Sequence, residues 1–136
     1  MAGLSEAGIS AGSKAPSDTE LYWARADGAF RRVLGFFENP SRDLTSLDYD
    51  FLSVLAKAYG DISAFHNIWA KKCENEAFYN GFLMNIAELF AEAYRILAGS
   101  QTERIWVYMK LLEDLDNAFE GVQEACMKLH PKFQEL

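Results

Sequence analysis

Few residues in this chain could do chemistry. His66 and Cys73 stand two helical turns apart on one side of a helical stretch, near Ile62 and Trp69. That spacing would suit a pair of ligands, or a base and its nucleophile. The plainer reading makes His66 a boundary histidine bonded to a neighbouring helix, and Cys73 a small hydrophobe. His130, just before Pro131, reads as a surface group at a helix end. Glu88, Glu92 and Arg95 share the one polar stripe of a mostly apolar helical segment. Facing inward, the two carboxylates would perturb each other and attract a cation. Facing water, they form a solvated ladder with Arg95 reaching back to Glu92, and amphipathicity favours that second arrangement.

The other chemical signatures are missing from the sequence. A di-iron bundle needs Glu-x-x-His, and a zinc site needs paired Cys and His spacing; neither occurs here. No Arg precedes either histidine in the way a small helical nuclease would require. No Gly-rich phosphate loop or G-x-S-x-G elbow is found. We therefore expect no catalytic residues, no metal and no cofactor, and a chain that is not an enzyme.

Recognition is a better prospect than catalysis. Trp106 shares a helix face with Glu113, Asn117, Glu120 and Glu124. A tryptophan beside carboxylates suits a hot spot for a basic protein partner; the ordinary alternative is a solvated face with the ring tucked against a loop. The chain is also rich in aromatics, with Trp 3, Tyr 6 and Phe 10. Four helices closing one core need one apolar stripe each. Tyr22, Ala29 and Phe36 widen the first stripe, Leu52 and Tyr59 widen the second, and the segment around Leu83 is apolar almost all round. The surplus must fill a thick core, a ligand pocket or an interface, and large apolar patches usually mark association.

The elements that would carry these residues are helices. Ser17-Asp18-Thr19-Glu20 fits a capping box and opens a stripe of Trp23, Ala26, Phe30, Val33, Leu34 and Phe37 that ends at Asn39-Pro40. A second helix starts near Thr45 or Ser46 and follows Leu47, Phe51, Leu55, Ala58, Ile62, Phe65 and Trp69 to Lys71-Lys72. A third spans roughly Asn75 to Ala98, with Gly99 as its C′ residue. A fourth opens on a capping box at residues 100–103 and follows Ile105, Met109, Leu112, Leu115, Phe119, Val122, Cys126 and Leu129 to Pro131, after which Phe133 folds back. Short loops between long helices imply antiparallel neighbours. The fold expected is all-α: an up-down-up-down four-helix bundle over residues 17–136, preceded by a flexible N-terminal arm at residues 1–16, which is rich in Ala, Gly and Ser.

Composition bounds the rest. The chain has 136 residues, 50% of them hydrophobic and 24% charged, which suits one globular domain and excludes a largely disordered one. A net charge of -7 argues against direct nucleic-acid binding. Arg25, Arg31, Arg32 and Arg42 make one cationic stretch, but Glu20, Asp27, Glu38 and Asp43 cancel its field. No apolar run is long enough to span a bilayer. The opening MAGLSEAGIS lacks the basic and apolar regions of a secretory signal, and the two cysteines suit a reducing compartment, so a cytoplasmic location is expected.

Three functions follow as expectations. The first is a non-enzymatic bundle acting through protein–protein contacts, as a homodimer or a small subunit of a larger assembly. Its interface would draw on Tyr22, Phe36, Leu83, Trp106, Glu113, Glu120 and Glu124. A charge placed at Phe36 or Leu83 would then alter assembly without unfolding the monomer. The second is a bundle that binds an apolar or aromatic small molecule, with His66 as its polar anchor. The third is an acidic inhibitor that blocks a basic nucleic-acid-binding surface on another protein.

Overall fold

The computed structural model describes residues 17–99 and 104–129. The arm at residues 1–16, the capping box at residues 100–103, and His130, Pro131 and Phe133 lie outside these described residues. Within them are four α-helices and no strand: α1 (Asp18–Glu38), α2 (Ser46–Trp69), α3 (Glu76–Ala98) and α4 (Arg104–Leu129). The chain is therefore all-α, as its periodicity predicts. A 3-10 turn at Ala70–Lys72 extends α2.

Local chemistry sets the boundaries. Ser17 caps α1 by accepting the Glu20 backbone N–H at 3.2 Å. The helix stops at Glu38, ahead of Asn39 and Pro40. Thr45 and Asp48 exchange hydrogen bonds in a capping box that starts α2. Asn75 accepts the Phe78 N–H at 2.9 Å and starts α3. At the far end of α3, Gly99 has φ -93°, an extended conformation and not the left-handed one expected of a C′ glycine. A Cβ there would make a tight contact, 3.3 Å from the Arg95 carbonyl oxygen.

Side-chain size then decides which helices touch. Thr19 Oγ1, at the start of α1, meets Glu76 and Asn80 at the start of α3 at 2.9 and 2.8 Å. Phe36 and Tyr94 meet edge to face near the ends of the same two helices. The two thus run parallel, and they form the closest helix pair. Buried alanines make that approach: Ala26 and Ala29 on α1, Ala87 and Ala93 on α3. Between α1 and α2, by contrast, stand bulky rings. Trp23 stacks on His66, Phe30 stacks on Tyr59, and Phe37 packs against Tyr49, so these two run antiparallel but further apart. Loop length predicts α2 as the nearest neighbour of α1; small side chains give that place to α3.

The remaining pairs complete the core. Phe51 stacks on Tyr108 at 3.9 Å near the starts of α2 and α4, and Phe65 meets Phe119 further along both helices. Phe82, early in α3, shares a groove with Val122, late in α4. As its apolar circumference predicts, α3 is buried on several sides: Leu83, Ile86, Phe90, Ala93 and Leu97 have no exposed surface. Its polar stripe points outward, and Arg95 bonds Glu92 as a surface ion pair.

Candidate functional site

One buried carboxylate ties the first turns of α4 to α2. Asp48 divides its two oxygens between its own helix and a distant one. Oδ2 accepts from the Thr45 N–H at 2.9 Å and hydroxyl at 3.1 Å. Oδ1 accepts from Arg104 Nη1 and from the Tyr108 hydroxyl, both at 2.9 Å. The ion pair is almost wholly buried, with side chains 4% and 0% exposed. Burial, reinforced by the hydrogen bond to Asp48, pushes the Tyr108 phenol well above its ordinary value, so this ring stays a donor. Arg42 and Arg104 both donate to the Gly99 carbonyl, at 3.0 and 3.2 Å, and Arg42 also bonds the Leu97 carbonyl. These contacts satisfy the last carbonyls of α3.

This clamp turns α4 relative to the stripe read from its sequence. Arg104 and Tyr108 lie one turn apart, and Asp48 draws both inward. Ile105 and Met109, each 100° further round, are thereby turned out. They are 45% and 56% exposed, next to Val107 at 39% and Trp106 at 70%. Tyr108 and Leu111 take the buried places instead. From Leu115 the expected seam holds at Val122 and Cys126, with Phe119 half-buried, and ends before Leu129, which is 42% exposed. The result is an outward apolar run at the amino end of α4. Met109, Leu112 and Phe119 continue along one side of the helix, where Leu112 and Phe119 line a groove shared with Val54 and Ala58 of α2. Asp61 and Asp116 also line it.

The candidate interface residues are scattered by the fold. Trp106, Glu113, Glu120 and Glu124 are all exposed along α4. Tyr22 is half-buried on α1, under Arg25. Phe36 and Leu83 correct the expectation. Leu83 is 0% exposed and Phe36 sits beneath Arg42, so both belong to the core of the single chain. The surplus apolar arc of α1 and α3 is consumed by their close pairing, which leaves neither residue on a free face. The exposed residues missed by the sequence reading are Ile105 and Met109, placed in the buried seam by local spacing and turned out where Asp48 draws Arg104 and Tyr108 inward.

His66 organises a second locality, at the opposite end of α2 from Asp48. Its ring stacks on Trp23 at 4.4 Å, and its Nδ1 lies 2.9 Å from the Tyr79 hydroxyl. The bond to a neighbouring helix expected of a boundary histidine is present. Tyr79 is buried, and burial together with nearby Cys126 and Cys73 raises its phenol well above the ordinary range. Beside His66 a cleft opens, lined by Thr19, Glu20, Asn67, Cys73, Glu74 and Glu76 among others. Its walls offer hydrogen bonds and negative charge more than apolar surface.

Among the described residues, no three His, Cys, Asp or Glu side chains are grouped so as to hold a metal ion, and no helix is long and apolar enough to cross a membrane. The four arginines of the cationic stretch are all engaged within the chain. Arg25 and Arg32 lie over Tyr22 and Tyr94, Arg31 pairs with Asp27, and Arg42 caps α3. No protein-family model, curated protein or solved structure matches the chain.

Proposed function

We propose that the chain is an up-down-up-down four-helix bundle that works without catalysis, through protein–protein contacts, as a homodimer or a small subunit of a larger assembly. The observation that carries this reading is the exposure of Ile105, Trp106 and Met109 on one side of α4 at its amino end. Apolar side chains gathered on a surface gain most when a partner removes them from water. Trp106 is the natural anchor, because tryptophan combines large area with few rotatable bonds. Glu113, Glu120 and Glu124 extend the same face and would orient a cationic partner surface.

The acidic-inhibitor reading uses this same surface, with the basic nucleic-acid-binding face of another protein as the partner. It differs in predicting that binding weakens steeply with salt. A small-molecule reading would use the cleft beside His66, and its Glu-lined walls favour a polar or cationic ligand over an apolar one.

Sedimentation of the purified protein over a range of concentrations, with Trp106→Glu and Met109→Glu combined as the variant, tests the homodimer form. A self-associating wild type should dissociate at least about tenfold more readily in the variant, with an unchanged melting curve. A wild type that associates equally well with both charges in place would remove this face from the interface.

A further inference from the structure

Cys73 and Cys126 are isolated in sequence, yet the fold brings their sulfurs to 2.8 Å. Cys73 follows the 3-10 turn that ends α2, and Cys126 lies on the buried face of α4 near its carboxyl end. Both are free thiols. We propose that they are a reversible dithiol–disulfide pair, oxidised by exchange with a small disulfide, whose closure clips the α2–α3 connection onto the end of α4.

The two thiols differ in access, and that fixes the order of events. Cys73 is half-exposed and lines the cleft beside His66, whereas Cys126 has no exposed surface. Cys73, as thiolate, attacks one sulfur of the small disulfide. The S–S bond breaks, and one thiolate leaves and takes up a proton. Cys126 then releases its proton and attacks the Cys73 sulfur of the mixed disulfide. The Cys73–Cys126 bond forms and the second small thiol leaves. The protein pair loses two electrons and two protons, and the small disulfide gains both to become two thiols.

Burial, with a further contribution from Cys73 beside it, pushes the Cys126 thiol up to about 12. Cys126 therefore stays protonated towards outside reagents, and gives up its proton only to the departing small thiolate as it attacks a sulfur already delivered next to it. A disulfide is about 2.05 Å long, so the two sulfurs are already within about 1 Å of bonding distance.

Glu20, Glu74 and Glu76 line the cleft, so the cationic disulfide cystamine is the probe suited to it. Reduced full-length protein is treated with cystamine under native conditions, and its mass, free thiols and melting curve are read. The expected product has lost two hydrogens, carries no cysteamine, and yields a linked peptide pair containing Cys73 and Cys126. Its melting temperature should rise by roughly 10 °C, because the bond closes a long loop in the unfolded chain. Excess cysteamine should return both thiols.

Two variants with wild-type circular dichroism separate the roles. Cys126→Ala should trap one cysteamine on Cys73, while Cys73→Ser should leave Cys126 unmodified as long as the protein is folded. If the cysteines only fill space, both thiols survive the treatment in the native protein, and the proposal fails. It fails equally if each cysteine keeps its own cysteamine, if disulfides form only between chains, or if the internal bond lowers the melting temperature.

Discussion

At the scale of residues, the molecule keeps several tyrosine hydroxyls working as donors or sheltered from water. Tyr59 donates to Asp27, which also accepts from Arg31 at 2.9 Å. Burial opposes the charge on Asp27, but the bonds from Tyr59 and Arg31 outweigh it and hold the carboxyl below its usual range. Tyr59 itself is pushed up to about 12, by burial first and then by Asp27. Tyr79 and Tyr108 are raised further, chiefly by burial. The two signs give opposite pH limits. A depressed carboxyl stabilises the fold above its unfolded value, and that contribution is lost as pH falls through the folded one. A raised phenol stabilises the fold below its unfolded value near 10, and that contribution is lost as pH climbs toward 12. Stability should therefore fall on both the acid and the alkaline side. In an ultraviolet titration, three of the six tyrosines (Tyr59, Tyr79 and Tyr108) should ionise late and together with alkaline unfolding. Six independent ionisations near the ordinary value would contradict these environments.

At the scale of elements, the sequence and the structure part company at the register of α4 and at the pairing of α1 with α3, and the reasons are physical. Caps and prolines act within a few residues, so Ser17, Thr45, Asn75 and Asn39-Pro40 mark helix ends that are legible directly. The periodic stripes of α2 and α3 are legible too, because apolar spacing is a local property. The register of α4 is not. Asp48 and Arg104 are 56 residues apart, and no local pattern announces that they pair. The Cys73–Cys126 contact is hidden for the same reason, and so is the pairing of α1 with α3, which rests on alanines that look unremarkable in a stripe. The clamp has a testable energetic role. Asp48→Ala strands a buried guanidinium and removes the carboxylate half of the α2 capping box, leaving Thr45 as its N-cap, so it should destabilise the fold by about 3–5 kcal/mol in denaturant unfolding. It should also weaken the anchor of α4 first, seen as faster amide exchange at its amino end. A loss below about 1 kcal/mol would show that the pair contributes little to holding α4 in register.

At the scale of the whole molecule, the same clamp links fold to function. By drawing Arg104 and Tyr108 inward, it presents Ile105, Trp106 and Met109 to solvent on an otherwise acidic helix. The candidate interface was thus only half legible. Trp106 and its line of glutamates follow from helical spacing alone, whereas their apolar neighbours emerge only once Asp48 has set the rotation of α4. Phe36 and Leu83 went the other way, into the core, because α1 and α3 use their wide apolar arcs on each other. Native mass spectrometry on the protein purified gently from its own host, as wild type and as Trp106→Glu, tests the α4 interface most directly. The wild type should appear at a multiple of 15.4 kDa, or with a second chain attached, and the variant as the bare chain with its melting curve intact. A wild type found only as the bare chain, or an assembly indifferent to the charge at Trp106, would contradict that interface.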